Sequence, residues 1–535
     1  MPKLQKFNKK ENSKISSRKF IFAGIIILII LSIFVFYKSY AIYKLEKKYD
    51  VIKSQIGEFD TEDMILSFTI DGNKEDVNFP SKNSNYIVNS VTCENGTSAN
   101  WDNETWGLIN IEPGDSKKIR CNIDFKGAYK ESILNGSDPV LKNNLVPVVL
   151  SDDGTVTKAD INTEWYKYED KKWANAVVLV DDSVTYNNDQ TIPESNIESY
   201  FVWIPKYSYQ LFNLGETDGY TSETPTESIA KEINIKFGLT NTSDSNANEC
   251  TTPMTSGSSG NCSVGDYMTH PAFISMNTNG LWVAKFETTG DIANLTVKPG
   301  IASVRSQTVK SMFEAAYNYQ RGNDSHMMKN TEWGAVAYLS HSKYGINTEV
   351  RINNNSSYLT GYAAVDGTDQ SSYPGTYGTS SDITLPYNTT TGYKASTTGN
   401  ITGVYDMSGG ALEYMAAYRK ETYGSSEFDA TSLANYNSKY YDEYDASSDF
   451  TTHSKRILGD ATGEMGPFYY YADKDGNNRQ HNNWYADNSN FVDSSYPWFH
   501  RGGHCSDGVL AGQFDFSYDT GGAYSIFGFR LVFAG

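Results

Sequence analysis

The sequence carries no His-Glu-x-x-His pair, no phosphate loop and no dinucleotide fingerprint, so the usual signatures of zinc hydrolases, nucleotide hydrolases and nicotinamide enzymes are missing. Cysteine is scarce, five residues in 535. Cys93 with Cys121 and Cys250 with Cys262 are spaced for local pairing and leave Cys505 odd, a usage that fits an exported protein. Positive charge is also short: 45 Lys and Arg against 64 Asp and Glu give a net charge of −19. The imbalance deepens after residue 19, because Lys3, Lys6, Lys9, Lys10, Lys14, Arg18 and Lys19 precede that point with only Glu11 among them. A surface this acidic argues against a nucleic-acid partner.

What is present points to strands. The chain is rich in Tyr, Asn, Ser, Thr and Gly, a composition of strands, turns and polar loops and not of a helical bundle. At 535 residues it exceeds one ordinary core, so two or three folded units are expected. Residues 20–37, FIFAGIIILIILSIFVFY, are uncharged and apolar, long enough as a helix to cross most of a bilayer's hydrocarbon. With the basic tail 1–19 before it, the positive-inside rule predicts a transmembrane helix over 20–43, a cytoplasmic N-terminus and an extracellular remainder: single-pass, in the cell membrane. A cleaved signal peptide is the alternative, since Ser39-Tyr40-Ala41 fits a small-x-small cleavage site.

Residues 44–57 read as a charged helical stalk, and 58–127, with runs such as MILSFTIDG and WGLINIEPGD, as an immunoglobulin-like β-sandwich. Residues 128–159 are turn-rich and read as a linker. From 160 to 535 strand patterns return, interrupted by a polar insertion at 215–268. Within NTEWGAVAYLSHSKYG, Asn330 or Thr331 is a candidate N-cap, Trp333, Val336, Ala337 and Leu339 fall near helical spacing, and Gly345 is a stop. Gly409 and Gly410 suit a turn with positive φ, with Tyr405, Met407 and Leu412 facing the core. In FGFRLV, Phe527, Phe529 and Leu531 alternate with Gly528, Arg530 and Val532 as in a strand. The fold class expected is α+β.

Four stretches fall in a telling order: GLWVAKFETTG (280–290), MMKNTEWGAVAYLSHSKYG (327–345), GNITGVYDMSGGALEYM (399–415) and RGGHCSDGVLAGQFDFSYDTGGAYSIFGFRLV (501–532). Together they resemble the formylglycine-generating-enzyme and sulfatase-modifying-factor superfamily, which implies a C-type-lectin-like fold over about 280–535. The copper oxidases of that family use two cysteines after the last Gly-Gly, since soft thiolates bind Cu(I). Here only Cys505 follows, so the resemblance does not imply oxidase activity, and no enzyme is expected. Calcium has no support either: Gly410 stands where the family motif has a ligating Asn, leaving only Glu413 of the acidic pattern. The Glu-Pro-Asn and Trp-Asn-Asp triplets of calcium-dependent sugar binding are absent, and ADKDGNN (472–478) reads as a turn. No cofactor or metal is expected, His500, His504 and Cys505 included.

The last motif also resembles the retroelement-diversified variable binding proteins of the same fold, whose frame RGG…AG-x-F…GFR recurs here through Ala511, Gly512 and Phe514. In that frame, exposed side chains between fixed residues contact a ligand. The residues expected to bind are His504, Asp507, Gln513, Tyr518, Asp519, Tyr524 and Trp498, with Tyr496, Phe499, Tyr469 and Tyr470 as nearby aromatic area. The expected function is a membrane-anchored extracellular binding protein presenting a lectin-like surface to a protein or glycan. The alternatives are an enzyme of the sulfatase-modifying-factor group without its copper site, and a structural envelope protein.

Overall fold

The computed structural model describes strands within residues 62–127 and most of the chain from 138 to 535, apart from residues 143, 214–219, 222–229, 239–262, 366–383, 446–456, 467 and 473–477. The basic tail, apolar run and stalk lie outside the described residues, as do Cys250, Cys262 and most of ADKDGNN. The chain divides into two compact units, Met1–Ser132 and Ile133–Gly535.

Two expectations are corrected. The described residues are mainly β, with only four α-helices, so the α+β class does not hold. No helix among them is long and apolar enough to cross a membrane. The transmembrane helix at 20–43, the membrane as partner and the cell-membrane location built on it are not retained. An apolar run at the lower limit of a span gives the length for a crossing, but the same run also suits a signal-peptide core.

The first unit holds two three-stranded antiparallel sheets. In one, β1 (Glu62–Thr69) and β3 (Tyr86–Cys93) flank β6 (Lys118–Gly127); in the other, β2 (Val77–Asn78) and β4 (Ser98–Asp102) flank β5 (Gly107–Glu112). The register sets Cys93 directly across from Cys121. Cys93 is disulfide-bonded, but the Cys121 side chain is outside the described residues, so no bridge joins two described cysteine side chains. The second expected bridge, Cys250 to Cys262, lies outside the described residues altogether.

The second unit is built on a seven-stranded antiparallel sheet. Its strands are β7 (Leu145–Leu150), β8 (Val156–Lys158), β9 (Asn175–Leu179), β10 (Ile197–Pro205), β11 (Gly280–Ala284), β14 (His326–Met327) and β20 (Leu531–Ala534), in the spatial order β14-β20-β11-β10-β9-β7-β8. Strands β7 and β8 fall inside the segment expected to be a linker. A hairpin, β12 (Thr289–Asp291) and β13 (Asn294–Thr296), follows β11. The second large sheet runs β16 (Asp442–Tyr444), β15 (Leu412–Arg419), β17 (Trp498–Arg501), β18 (Phe516–Asp519), with β19 (Phe527–Gly528) pairing parallel to β15. The last stretch of chain therefore passes from one sheet to the other between residues 528 and 531. Both faces of that passage are buried: Phe527 to Ala534 are all inside, so the alternation read from FGFRLV does not divide core from solvent.

The helices are α1 (Pro271–Met276), α2 (Val309–Tyr319), α3 (Asn330–Ser340) and α4 (Ala430–Leu433). All eleven residues of α3 are buried, as expected of a helix covered on every side. Its N-cap is Lys329, one residue before the expected position, and no oxygen on Lys329 caps the free amides. Asp442 of β16 does so: its carboxylate accepts the Thr331 amide at 2.8 Å and the Thr331 hydroxyl at 3.3 Å. A carboxylate there satisfies an orphan donor and sits favourably at the positive helix end. Asp442→Ala should lower the unfolding free energy by about 2 kcal/mol, near the upper end for a lost cap. Asp442→Asn, which keeps one acceptor oxygen, should lose less than half as much; urea unfolding of both variants checks the difference.

Candidate functional site

The site rests on a buried ionic frame made from three of the four motifs, 280–290, 399–415 and 501–532. Arg530, in the passage between the two sheets, donates to both Glu413 carboxylate oxygens, at 3.0 and 2.5 Å, and to the Ala284 and Asp406 carbonyls at 2.9 and 3.3 Å. Asp406 accepts the Gly361 amide at 2.9 Å and the Asn353 side chain at 2.9 Å. Glu287 accepts the Ala411 amide at 2.9 Å, while its second oxygen, Oε2, is buried without a hydrogen-bond partner. A Cβ on Gly410, at φ +76°, would stand 2.2 Å from Glu287 Oε1, so glycine is required for this approach. Three carboxyls thus share one guanidinium. Burial raises the pKa of all three, Glu413 to about 7, and the neighbouring carboxyls push Glu287 up further. Lys285, also fully buried, donates to Asn175 Oδ1 and to the Ile401 and Gly403 carbonyls at 2.6–3.0 Å.

Above this frame, β17 ends in the turn Gly502–Gly503, both at positive φ, with the Gly409 amide bonded to the Gly502 carbonyl at 2.9 Å. The loop that follows is tied down by Cys505, whose amide donates to the Gly410 carbonyl at 2.9 Å. His504 is half-buried. Its Nδ1 accepts the Ser506 amide at 3.2 Å, so the neutral ring carries its proton on Nε2 and donates to the Tyr358 hydroxyl at 2.7 Å. That leaves the Tyr358 proton for an acceptor outside the loop. Burial holds the His504 pKa below the ordinary value against the opposing pull of Asp507. Asp507 in turn accepts the His504 amide at 2.8 Å, so it shapes the loop.

Tyr358 has φ +58°, a costly backbone for an aromatic residue. The Arg305 guanidinium lies over its ring, 3.8 Å from the centroid, and donates to the Ser525 carbonyl at 2.5 Å. Arg305 therefore joins the His504 loop to the loop that carries exposed Tyr524. Nothing in the sequence around either residue, ASVRSQ or NSSYLTG, marks this pair, because the link is a stacking contact between segments more than 50 residues apart.

The remaining expected binding residues divide. Tyr518 is half-buried and stacks on exposed Tyr496 at 5.1 Å. Asp519 accepts the Tyr414 hydroxyl at 2.6 Å and the Gly521 amide at 3.1 Å. Trp498 and Gln513 are core residues and do not belong to a binding surface. Trp498 stacks between Tyr418 and Phe428 and donates to the Tyr423 carbonyl; Gln513 is fully buried and its carbonyl accepts Trp333 Nε1 at 2.8 Å. Phe499 is likewise fully buried, and the side chains of Tyr469 and Tyr470 are outside the described residues.

Cys505 Sγ lies 3.8 Å from both ring nitrogens of His504. A sulfur equidistant from both lies off either lone-pair direction, and both nitrogens already have closer partners. Burial, with Asp507 and Glu287 nearby, pushes the thiol to about 12. Among the described residues no group of three or more His, Cys, Asp or Glu side chains is placed to hold a metal ion. No protein-family model matches the chain, and no curated protein matches it in sequence.

Proposed function

We propose that this chain is a binding protein whose recognition surface is centred on Tyr358, His504, Arg305 and Tyr524, on a scaffold of the lectin-like type that its C-terminal motifs resemble. The observation that carries the reading is the Arg305 bridge. One guanidinium stacks on a conformationally strained tyrosine and pins a second loop, so that polar and aromatic groups are held in place before any ligand arrives. Preorganised aromatic and Arg anchors are what hot spots consist of. A protein ligand is favoured over a glycan, because the calcium-dependent sugar triplets are missing. The adjacency of Cys505 and His504 favours a second reading, a thiol enzyme, but the high thiol pKa and the misdirected sulfur speak against it.

The test is a screen of the full chain on a glycan array and against a displayed protein library, repeated with Arg305→Ala, Tyr524→Ala and Cys505→Ser. The first two are expected to weaken any ligand found by about tenfold or more, as loss of a hot-spot residue does, and Cys505→Ser to leave it unchanged. Equal binding by all variants would remove this surface from consideration, and a catalytic turnover abolished by Cys505→Ser would establish the second reading.

A further inference from the structure

Away from these loops, the second unit has a groove of about 750 Å³, of the size that holds small molecules. One wall is α2, which presents Ser311, Glu314, Ala315 and Asn318 at the three- and four-residue spacing of a single helix face. The other wall is the β12–β13 hairpin, with Leu295, and Val180 and Glu198 also line the groove. The side chains are mixed: apolar surface from Val180, Leu295 and Ala315, and charge from Glu198, Glu314 and Lys298.

Both carboxylates are oriented by tyrosine hydroxyls. Tyr319 donates to Glu198 Oε1 at 2.6 Å and is itself bonded to Ser199 Oγ at 2.8 Å. Tyr436 donates to Glu314 Oε1 at 2.9 Å. Each tyrosine engages one carboxylate oxygen. Lys298, the single cation on the lining, reaches towards the Glu194 carbonyl at 3.4 Å. The groove thus combines apolar walls with an excess of fixed negative charge that needs no rearrangement to meet a cation.

We infer that this groove is a second binding site, for a small alkylammonium ligand whose methylene chain lies on Leu295 and Ala315 and whose ammonium is held by Glu198 and Glu314. It does not rest on the loop reading, and either site can fail without the other.

The probe is 1,4-diaminobutane, titrated calorimetrically into the full chain beside 1,4-butanediol, its uncharged counterpart. Saturable binding of the diamine, at least tenfold tighter than the diol and weakened by added salt, is expected. Glu198→Gln and Glu314→Gln keep an acceptor for Tyr319 and Tyr436, so the fold should survive; each should weaken the diamine at least fivefold, while Tyr524→Ala leaves it unchanged. Ala315→Lys, which places an ammonium in the groove, should abolish binding and serves if a Gln variant unfolds. Failure of the diamine to saturate, equal affinity for the diol, or wild-type affinity in Ala315→Lys would overturn the assignment.

Discussion

Arg530→Met should lower the unfolding free energy by about 3–5 kcal/mol at pH 8, the cost of leaving a buried ion pair with one partner removed. Arg530 is fully buried and is the cation among Glu287, Asp406 and Glu413, and it holds the passage between the two sheets through four hydrogen bonds. Without it the carboxyls can only take up protons, so the loss should shrink as the pH falls. The same groups give the wild type an unusual pH dependence. Glu413 titrates near 7 when folded against an ordinary value of 4.5, so the folded state binds more protons than the unfolded state across that window. Stability from a raised pKa is fully present below the unfolded value and is lost as pH rises through the folded one. The wild type should therefore become more stable on acidification from pH 8 towards 5. Below that, Glu332, held under its ordinary pKa by His326 and Lys329 despite burial, pulls the other way. Burial, with the Asp406 and Glu413 carboxyls beside it, pushes the Glu287 pKa well above the ordinary carboxylate value. Glu287→Gln, a neutral isostere, should cost about 1 kcal/mol or less at pH 8 while flattening the profile. Urea unfolding at pH 8 and 5.5 for the three proteins decides; a loss in Arg530→Met that is small and independent of pH would sink the account.

Gly334→Ala should be destabilising by about 3 kcal/mol, the upper range for an overpacked core. Helix propensity alone gives the opposite sign, favouring Ala by about 1 kcal/mol. Sterics decide. A Cβ at Gly334, in the middle of α3, would stand 1.9 Å from the Gly459 carbonyl oxygen and 2.9 Å from Asp460 Cα. These are backbone atoms, and the segment has no slack: the Gly459 amide is bonded to Glu464 at 2.6 Å, and the Asp460 carbonyl accepts from Arg501 at 3.3 Å. Gly322→Ala, with nothing within 4 Å of the new methyl, is the control and should stay within about 0.5 kcal/mol. Denaturant melts of the pair distinguish steric exclusion from a general intolerance of alanine.

Local rules were legible in the sequence and long-range partners were not. Gly409 and Gly410 have the positive φ expected of them, and Tyr405, Met407 and Leu412 are buried. The helix around Trp333 is where its spacing puts it, but it ends at Ser340 and not at Gly345. Its cap leaves no mark in the local sequence, because Asp442 is 111 residues away from Thr331. Trp498 and Gln513 differ from the sequence expectation for a related reason: a polar or aromatic residue in a loop-rich segment looks exposed until its partner is known, here the Trp333 indole for Gln513 and the Tyr418 and Phe428 rings for Trp498. Polar motif residues such as Lys285, Glu413 and Arg530 form the innermost frame, each hydrogen-bonded to groups distant in sequence. Tyr358 and Arg305 left no pattern, since a stacked pair has no periodicity.

The position of β20 constrains how the protein can be made. Leu531–Ala534 pair with β11 on one side and β14 on the other, inside the seven-stranded sheet. During synthesis, β11 emerges some 250 positions before its neighbour, and Glu413 and Asp406 emerge well before Arg530. A nascent chain therefore carries an open sheet edge and uncompensated acids until residue 534 has left the ribosome, the kind of exposed surface that chaperones recognise.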